Sequence, residues 1–146
     1  MKAAEGRIGR VFIIRLDDGD RVLECIEAFA EENNIAVGLV TLIGGIGDGE
    51  IVSGPRRSEE MPPDPICLPV DGAHEVLGMG VLAPGPDGRA ALHMHGALGR
   101  AGKTAVGCLR FGVDCWLVGE VIIYEILDTS VQRKLDPRSG FFLLEP

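Results

Sequence analysis

Only one stretch of this chain repeats its apolar residues at a helical interval, and that restricts what the remainder can build. From Arg21 to Asn33, the residues Val22, Leu23, Ile26, Phe29 and Ala30 gather on one face, and Glu24, Glu27, Glu31 and Glu32 occupy the others. Asp17, Asp18 and Asp20 precede it around Gly19, and any of them can cap a helix start. Asn33 and Asn34 end it, since Asn tolerates the left-handed conformation. One helix over about residues 20–33, in a chain of 146 residues otherwise broken by 21 glycines and 9 prolines, leaves strands to form the body. The expected class is α+β, a mostly antiparallel sheet with one flanking helix. Residues 1–146 read as one domain, with a core over about 11–144 and residues 1–6 frayed.

The strand expectations follow from short apolar runs and the turn residues between them. Val11–Leu16 reads as a buried strand and Ile35–Ile43 as the next. The glycines of Gly44–Gly49 (GGIGDG) suggest a phosphate cradle only weakly, because Glu50–Val52 continues as a strand where a helix would be needed; a tight turn or bulge is the better reading. Pro55–Pro69 reads as a proline-rich loop, with a short strand at Ile66–Val70. Asp71-Gly72 is a hairpin signal ahead of a strand at His74–Ala83, and Pro84–Gly88 is a turn. Arg89–Leu98 goes out and Thr104–Phe111 returns across the turn at Gly99–Gly102. Cys115–Leu127 is the longest strand, apolar on both sides around Val121–Ile123, as a central strand covered on both faces would be. Phe141–Leu144 is an apolar run that should dock on the body or on a neighbouring subunit.

Charge and cysteine usage exclude some roles. The net charge of -8 works against nucleic acid, whose binding depends on neutralising phosphates; Arg7, Arg10, Arg56 and Arg57 are the few basic residues that could form a patch. No segment is long and apolar enough to span a bilayer, and MKAAEGRIGR lacks the apolar core of a signal peptide. Four cysteines without a CxxC pair fit a cytoplasmic protein with reduced thiols.

The chemistry concentrates in ALHMHGALGRAGKTAVGCLR, Ala91–Arg110. Residues i and i+2 of a strand share a face, so His93 and His95 can converge on one metal ion, and Cys108 can return as a third ligand. Two imidazoles and a thiolate leave a fourth position open, for a water whose pKa would fall to about 7 or for a small molecule. The thiolate disfavours hard ions and favours zinc, with copper or iron as other soft choices. Met94, between the histidines, should point to the opposite face. Glu120 and Glu75 are candidates to orient an imidazole or act as a base, the alternative being exposed residues or ion pairs with Arg110 or Arg89. His74 would either complete the shell or sit on a surface turn. The plain alternative for Cys108 is a small buried hydrophobe.

The order of these segments resembles the PPC family, the plants-and-prokaryotes-conserved domain. The resemblance rests on LDDGDRVLECIEAFAEENNI, GLVTLIGGIGDGEI, HEVLGMGVL, LHMHGALGRAGKTAVGCLRFGV and GEVIIYEIL, and covers about Val11–Leu144. It implies an antiparallel sheet flanked by the helix and assembled as a homotrimer. It also implies a zinc site of three histidines, of which two fall on His93 and His95. At the third, where the family pattern reads Gly-Gly-His-Leu, this chain reads Val106-Gly107-Cys108-Leu109. Plant members accompany AT-hook segments in DNA-associated proteins; Gly54-Pro55-Arg56-Arg57 is not such a hook. Three roles follow as expectations: a homotrimeric metal-binding protein, acting on a small molecule as a hydrolase or lyase would; a DNA-associated regulatory or architectural protein; or an assembly module.

Overall fold

The computed structural model describes residues Met1–Pro146. The chain runs β1 (Arg7–Asp17), α1 (Val22–Glu32), β2 (Gly38–Pro55), β3 (Pro65–Pro84), β4 (Ala90–Arg100), β5 (Lys103–Leu109), β6 (Cys115–Leu127), β7 (Gln132–Leu135) and β8 (Phe142–Glu145). Strands β1 to β6 form one sheet in the order β1-β6-β2-β3-β4-β5, and β7 and β8 form a separate hairpin. Every pairing is antiparallel. The sheet also bends back on itself, because Ile51 and Val52 near the end of β2 pair with Leu109 and Cys108 of β5. The α+β, mostly antiparallel expectation with one flanking helix holds. No helix is long and apolar enough to cross a membrane.

Strand alternation sorts the side chains. The core face carries Val40, Leu42, Leu82, Met94, Leu98, Val121 and Ile123, all at most 2% exposed. Helix α1 lays Val22, Leu23, Ile26 and Ala30 onto the same core. The helix covers one side of the sheet, and that asymmetry defines the molecule. Val11, Ile13, Ile43, Leu77, Met79 and Val106 remain exposed, Ile13 and Leu77 by 83% and 70%. By strand parity and register they share the side away from the core, where His93, His95 and Cys108 also lie.

Several local expectations are corrected. Val11–Leu16 is not a buried strand but part of an edge strand, with Val11 and Ile13 open to solvent. Strand β6 is central, yet only its Val121, Ile123 and Glu125 side is buried; Ile122 and Tyr124 are half-buried. The helix starts at the Arg21 cap with no side chain bonding its amides, because the Asp20 carboxylate accepts from the Asp17 N–H instead. Asn34 does take the left-handed conformation, at φ 56°. Gly44–Gly49 is a bulge, one of the two preferred readings, inside one continuous 18-residue strand. Asp71-Gly72 makes no hairpin: β3 runs straight through it for 20 residues, and the left-handed Gly72 (φ 74°) lies where the register slips between Ile46 and Asp48. The segment preceding the dipeptide finds its partner in the second half of β2, and that long pairing overrides the turn signal. The proline-rich loop accordingly shortens to residues 56–64. Phe141–Leu144 does not dock on the body of its own chain: β8 pairs with β7, and Phe141, Phe142, Leu143 and Leu144 are each at least 40% exposed. Residues 1–6 have no regular structure, although the Lys2 ammonium meets the Glu145 carboxylate at 2.6 Å.

The acidic residue at the bulge of the β1–β6 seam has its charge matched. Glu125, 4% exposed, accepts from the Arg10 backbone N–H at 3.0 Å, from its Nε at 2.8 Å and from its terminal nitrogen at 2.6 Å. The hydrogen bonds and charge of Arg10 overcome desolvation and hold the carboxyl at about 2, below its ordinary 4.5. A depressed carboxylate contributes stability that is complete above the unfolded value and is lost as pH falls through the folded one. Urea unfolding of the wild type should therefore show stability declining from pH 4.5 toward about 2. Glu125→Gln should lose about 2 kcal/mol at neutral pH and flatten that acid dependence.

Candidate metal centre

The centre is built on β4 and β5. Val81 of β3 lies opposite His93, and His95 lies between Met79 of β3 and Cys108 of β5. A residue directly opposite across an antiparallel ladder shares its neighbour's face, so Cys108 joins the histidine side without any loop excursion. The turn at Ala101 and Gly102, both at positive φ, returns β5 in that register.

Glycines allow the close approach. Gly96 and Gly107 face each other across β4 and β5. A Cβ on Gly107 would stand 2.6 Å from the Val52 carbonyl oxygen, and one on Gly80 would stand 2.7 Å from that of His93. The strands that carry these three side chains can pack only where the glycines leave room.

The donor atoms of His93, His95 and Cys108 all lie within 4.8 Å of one another. The two imidazole Nε2 atoms are 3.2 Å apart and the rings are nearly perpendicular, at 81°. Partial desolvation pushes the His93 imidazolium down, and the neighbouring His95, Arg133 and Arg110 push it further. A ring held neutral keeps its lone pair for a metal. Three such donors, two nitrogen and one sulfur, fit a four-coordinate soft ion with one position left open. Met94 is fully buried on the opposite face, as strand alternation requires.

The other expected residues are placed elsewhere. Glu75 and Glu120 line one open cavity with Ile43, Leu77, Ala97 and Thr104. Glu75 pairs in register with Gly99, four residues along β4 from His95 and so roughly 13 Å away. Glu120 belongs to β6, three strands from β4. Neither carboxylate hydrogen-bonds an imidazole, and neither pairs with Arg89, which binds Glu31 instead. His74 bonds the Gly72 carbonyl at 2.7 Å and faces Ile46 in the register, outside the donor cluster. Sequence reasoning missed Arg133. Its Nε donates to the Ala91 carbonyl at 3.3 Å and a terminal nitrogen to that of Val81 at 2.7 Å, so the C-terminal hairpin is tied to the strands beneath His93. Arg133 itself is 8% exposed. Nothing in the local sequence Gln132-Arg133-Lys134 distinguishes it from a surface cation.

The Plants and Prokaryotes Conserved (PCC) domain matches residues 3–127. No curated protein matches the chain. Among solved structures, it resembles a metal-containing protein of Archaeoglobus fulgidus at 24% identity over 100% of both chains, with a TM-score of 0.86. A plant- and prokaryote-conserved protein of Pyrococcus horikoshii aligns at 23% identity over 100% of this chain and 98% of its own, with a TM-score of 0.85. A candidate DNA-binding protein of Ralstonia eutropha aligns at 20% identity over 92% and 90%, with a TM-score of 0.73. At these identities the likeness establishes a shared fold.

The glycine requirement is directly testable. Gly107→Val should separate β5 from β2, lower the thermal midpoint by several degrees in a melting experiment, and spoil the placement of Cys108. A variant that melts like the wild type would show that the Val52 contact is dispensable.

Proposed function

The chain belongs to the Plants and Prokaryotes Conserved domain family, and on that footing we propose that it is a homotrimer in which each subunit holds one transition metal ion on His93, His95 and Cys108, zinc by preference. The convergence of three donor atoms within 4.8 Å, on two adjacent strands, carries this reading. Zinc suits a set of two imidazoles and one thiolate, and accepts the tetrahedral arrangement that leaves a fourth position for water or a small molecule. The Archaeoglobus structure of the same fold, named as metal-containing, adds support. A reducing cytoplasmic setting suits Cys108, whose thiol ligates only while unoxidised.

Trimer formation draws on the family resemblance and on the exposed apolar side of the sheet. Val11, Ile13, Ile43, Leu77, Met79 and Val106 form a surface of the kind that association buries. A DNA-associated role, by analogy with the Ralstonia relative, has less support from this chain. Arg7, Arg10, Arg56 and Arg57, the residues that could have formed a basic patch, each pair with a carboxylate. Hydrolysis or elimination at the metal would need a base close to the open position, and Glu75 and Glu120 lie too far along the sheet to serve directly.

Metal analysis of protein purified without chelator or nickel resin should give about one equivalent of zinc per chain. Replacing both His93 and His95 by alanine should remove it, and metal content unchanged by that double replacement would refute the site. Light scattering should give a trimer that Leu77→Glu with Met79→Glu converts to monomers. A wild-type monomer would contradict the assembly without touching the metal assignment.

A further inference from the structure

Two guanidiniums beside the centre lack a carboxylate partner. Arg133 makes its hydrogen bonds to the Val81 and Ala91 carbonyls, and Val81 is the residue directly opposite His93. Arg110 follows Cys108 by two residues, which places it on the same side of the strand. Its backbone N–H continues the ladder by bonding the Glu50 carbonyl at 3.1 Å. Neither arginine forms an ion pair, whereas Arg7, Arg10, Arg15, Arg21, Arg56, Arg57 and Arg89 all do. The helix carboxylate of Glu27 is engaged by the Leu92 amide at 2.7 Å and forms no ion pair with Arg133.

That arrangement is costly as it stands. Carbonyl oxygens accept from Nε and one terminal nitrogen of Arg133 and leave the other terminal nitrogen without a protein partner. The Cys108 sulfur and the Glu27 carboxylate act on its charge only from a distance, without an ion pair, whereas a buried charge normally has a close counter-charge. The chain has 22 acidic residues against 14 basic ones, yet none is paired with this 8% exposed cation. The metal would not supply the missing charge. A divalent ion with one thiolate and two neutral imidazoles keeps a net positive charge, to which both arginines add. The coordination position left open would therefore have cations nearby on an acidic protein, Arg110 itself lining a cavity with Glu50 and Cys67 without forming an ion pair.

We propose that this position takes an oxyanion, the carboxylate or phosphate group of a small molecule, with one oxygen on the metal and others receiving hydrogen bonds from Arg133 and Arg110. The inference rests on the metal reading given above. It adds the chemical class of the ligand and assigns a binding role to two residues outside the His–His–Cys cluster. Guanidinium is suited to it: Arg110 has its planar fork free to match the oxygen spacing of either group, and Arg133 has its second terminal nitrogen to offer.

The test uses the full chain loaded with cobalt(II) in place of zinc, whose visible absorption reports the coordination sphere. Inorganic phosphate and acetate are titrated separately, with sodium chloride at matched ionic strength as the control. A saturable spectral change with phosphate or acetate, absent with chloride, is expected, and whichever anion binds more tightly identifies the preferred group. Arg110→Gln should weaken that binding by roughly tenfold with cobalt stoichiometry unchanged, the loss of one charge-assisted hydrogen bond. Arg133→Gln should weaken it at least as much; because Arg133 also anchors the hairpin, the exposed Arg110 decides the outcome if that variant fails to fold. Cobalt uptake with no response to either anion, an equal response to chloride, or an Arg110→Gln affinity equal to wild type would overturn the oxyanion assignment alone. Failure to bind cobalt at all would overturn the metal reading and this one together.

Discussion

Strand β2 is hydrogen-bonded to three other strands, and the architecture depends on how one strand manages that. Its first half lies between β6 and β3; its second half keeps β3 on one side and exchanges β6 for β5 on the other. The exchange requires a change of direction, and the glycines supply it. A Cβ on Gly44 would lie 2.3 Å from the Val118 carbonyl oxygen, and one on Gly45 would lie 2.2 Å from that of Trp116. No residue with a side chain fits there without moving backbone. Gly44 and Gly49, at φ near 128°, take conformations that other residues rarely adopt. The run GGIGDG is thus not a phosphate cradle but a bulge, at which a long strand bends.

The His–His–Cys cluster depends on that bend. Cys108 is opposite His95 on one side and opposite Val52 of β2 on the other. The β2–β5 pairing is short, Ile51 and Val52 against Leu109 and Cys108, and it holds the far end of β5 in place. The sulfur is positioned by regular ladder geometry on both flanks, which is a more rigid mount than a loop provides. Arg133 adds a third constraint from the C-terminal hairpin by fastening it to the carbonyls of β3 and β4.

What the sequence made legible was whatever depends on local periodicity. The helix period over Val22–Ala30 marks α1 to within a residue or two, and the i, i+2 spacing of His93 and His95 puts both rings on one face because strands alternate. Cys108 was identified by its family position and by the Gly-rich return. The failures came where distant segments decided the outcome. Asp71-Gly72 has every local mark of a hairpin, yet the residues before it pair with the second half of β2, and a pairing that long outweighs two turn residues. Ile13 looks like core because it is apolar and β-branched; its 83% exposure follows from an edge position on the uncovered side, which no local pattern reveals. Arg133 was invisible for the same reason, since its importance comes from strands some forty to fifty residues away.

The β1–β6 seam has a consequence for the order in which the molecule can form. Arg7 pairs with Leu127 and Asp17 with Val118, so β1 has no sheet partner until almost the whole chain exists. The β2–β6 pairing waits equally long, whereas β2–β3, β3–β4 and β4–β5 join neighbours in sequence and can assemble early. On a ribosome, the nascent chain would carry the apolar Val11–Leu16 segment unpaired throughout the synthesis of the middle strands. The hairpins bearing His93, His95 and Cys108 need only neighbours in sequence, so these three side chains can come together without waiting for the long-range closure of β1 on β6.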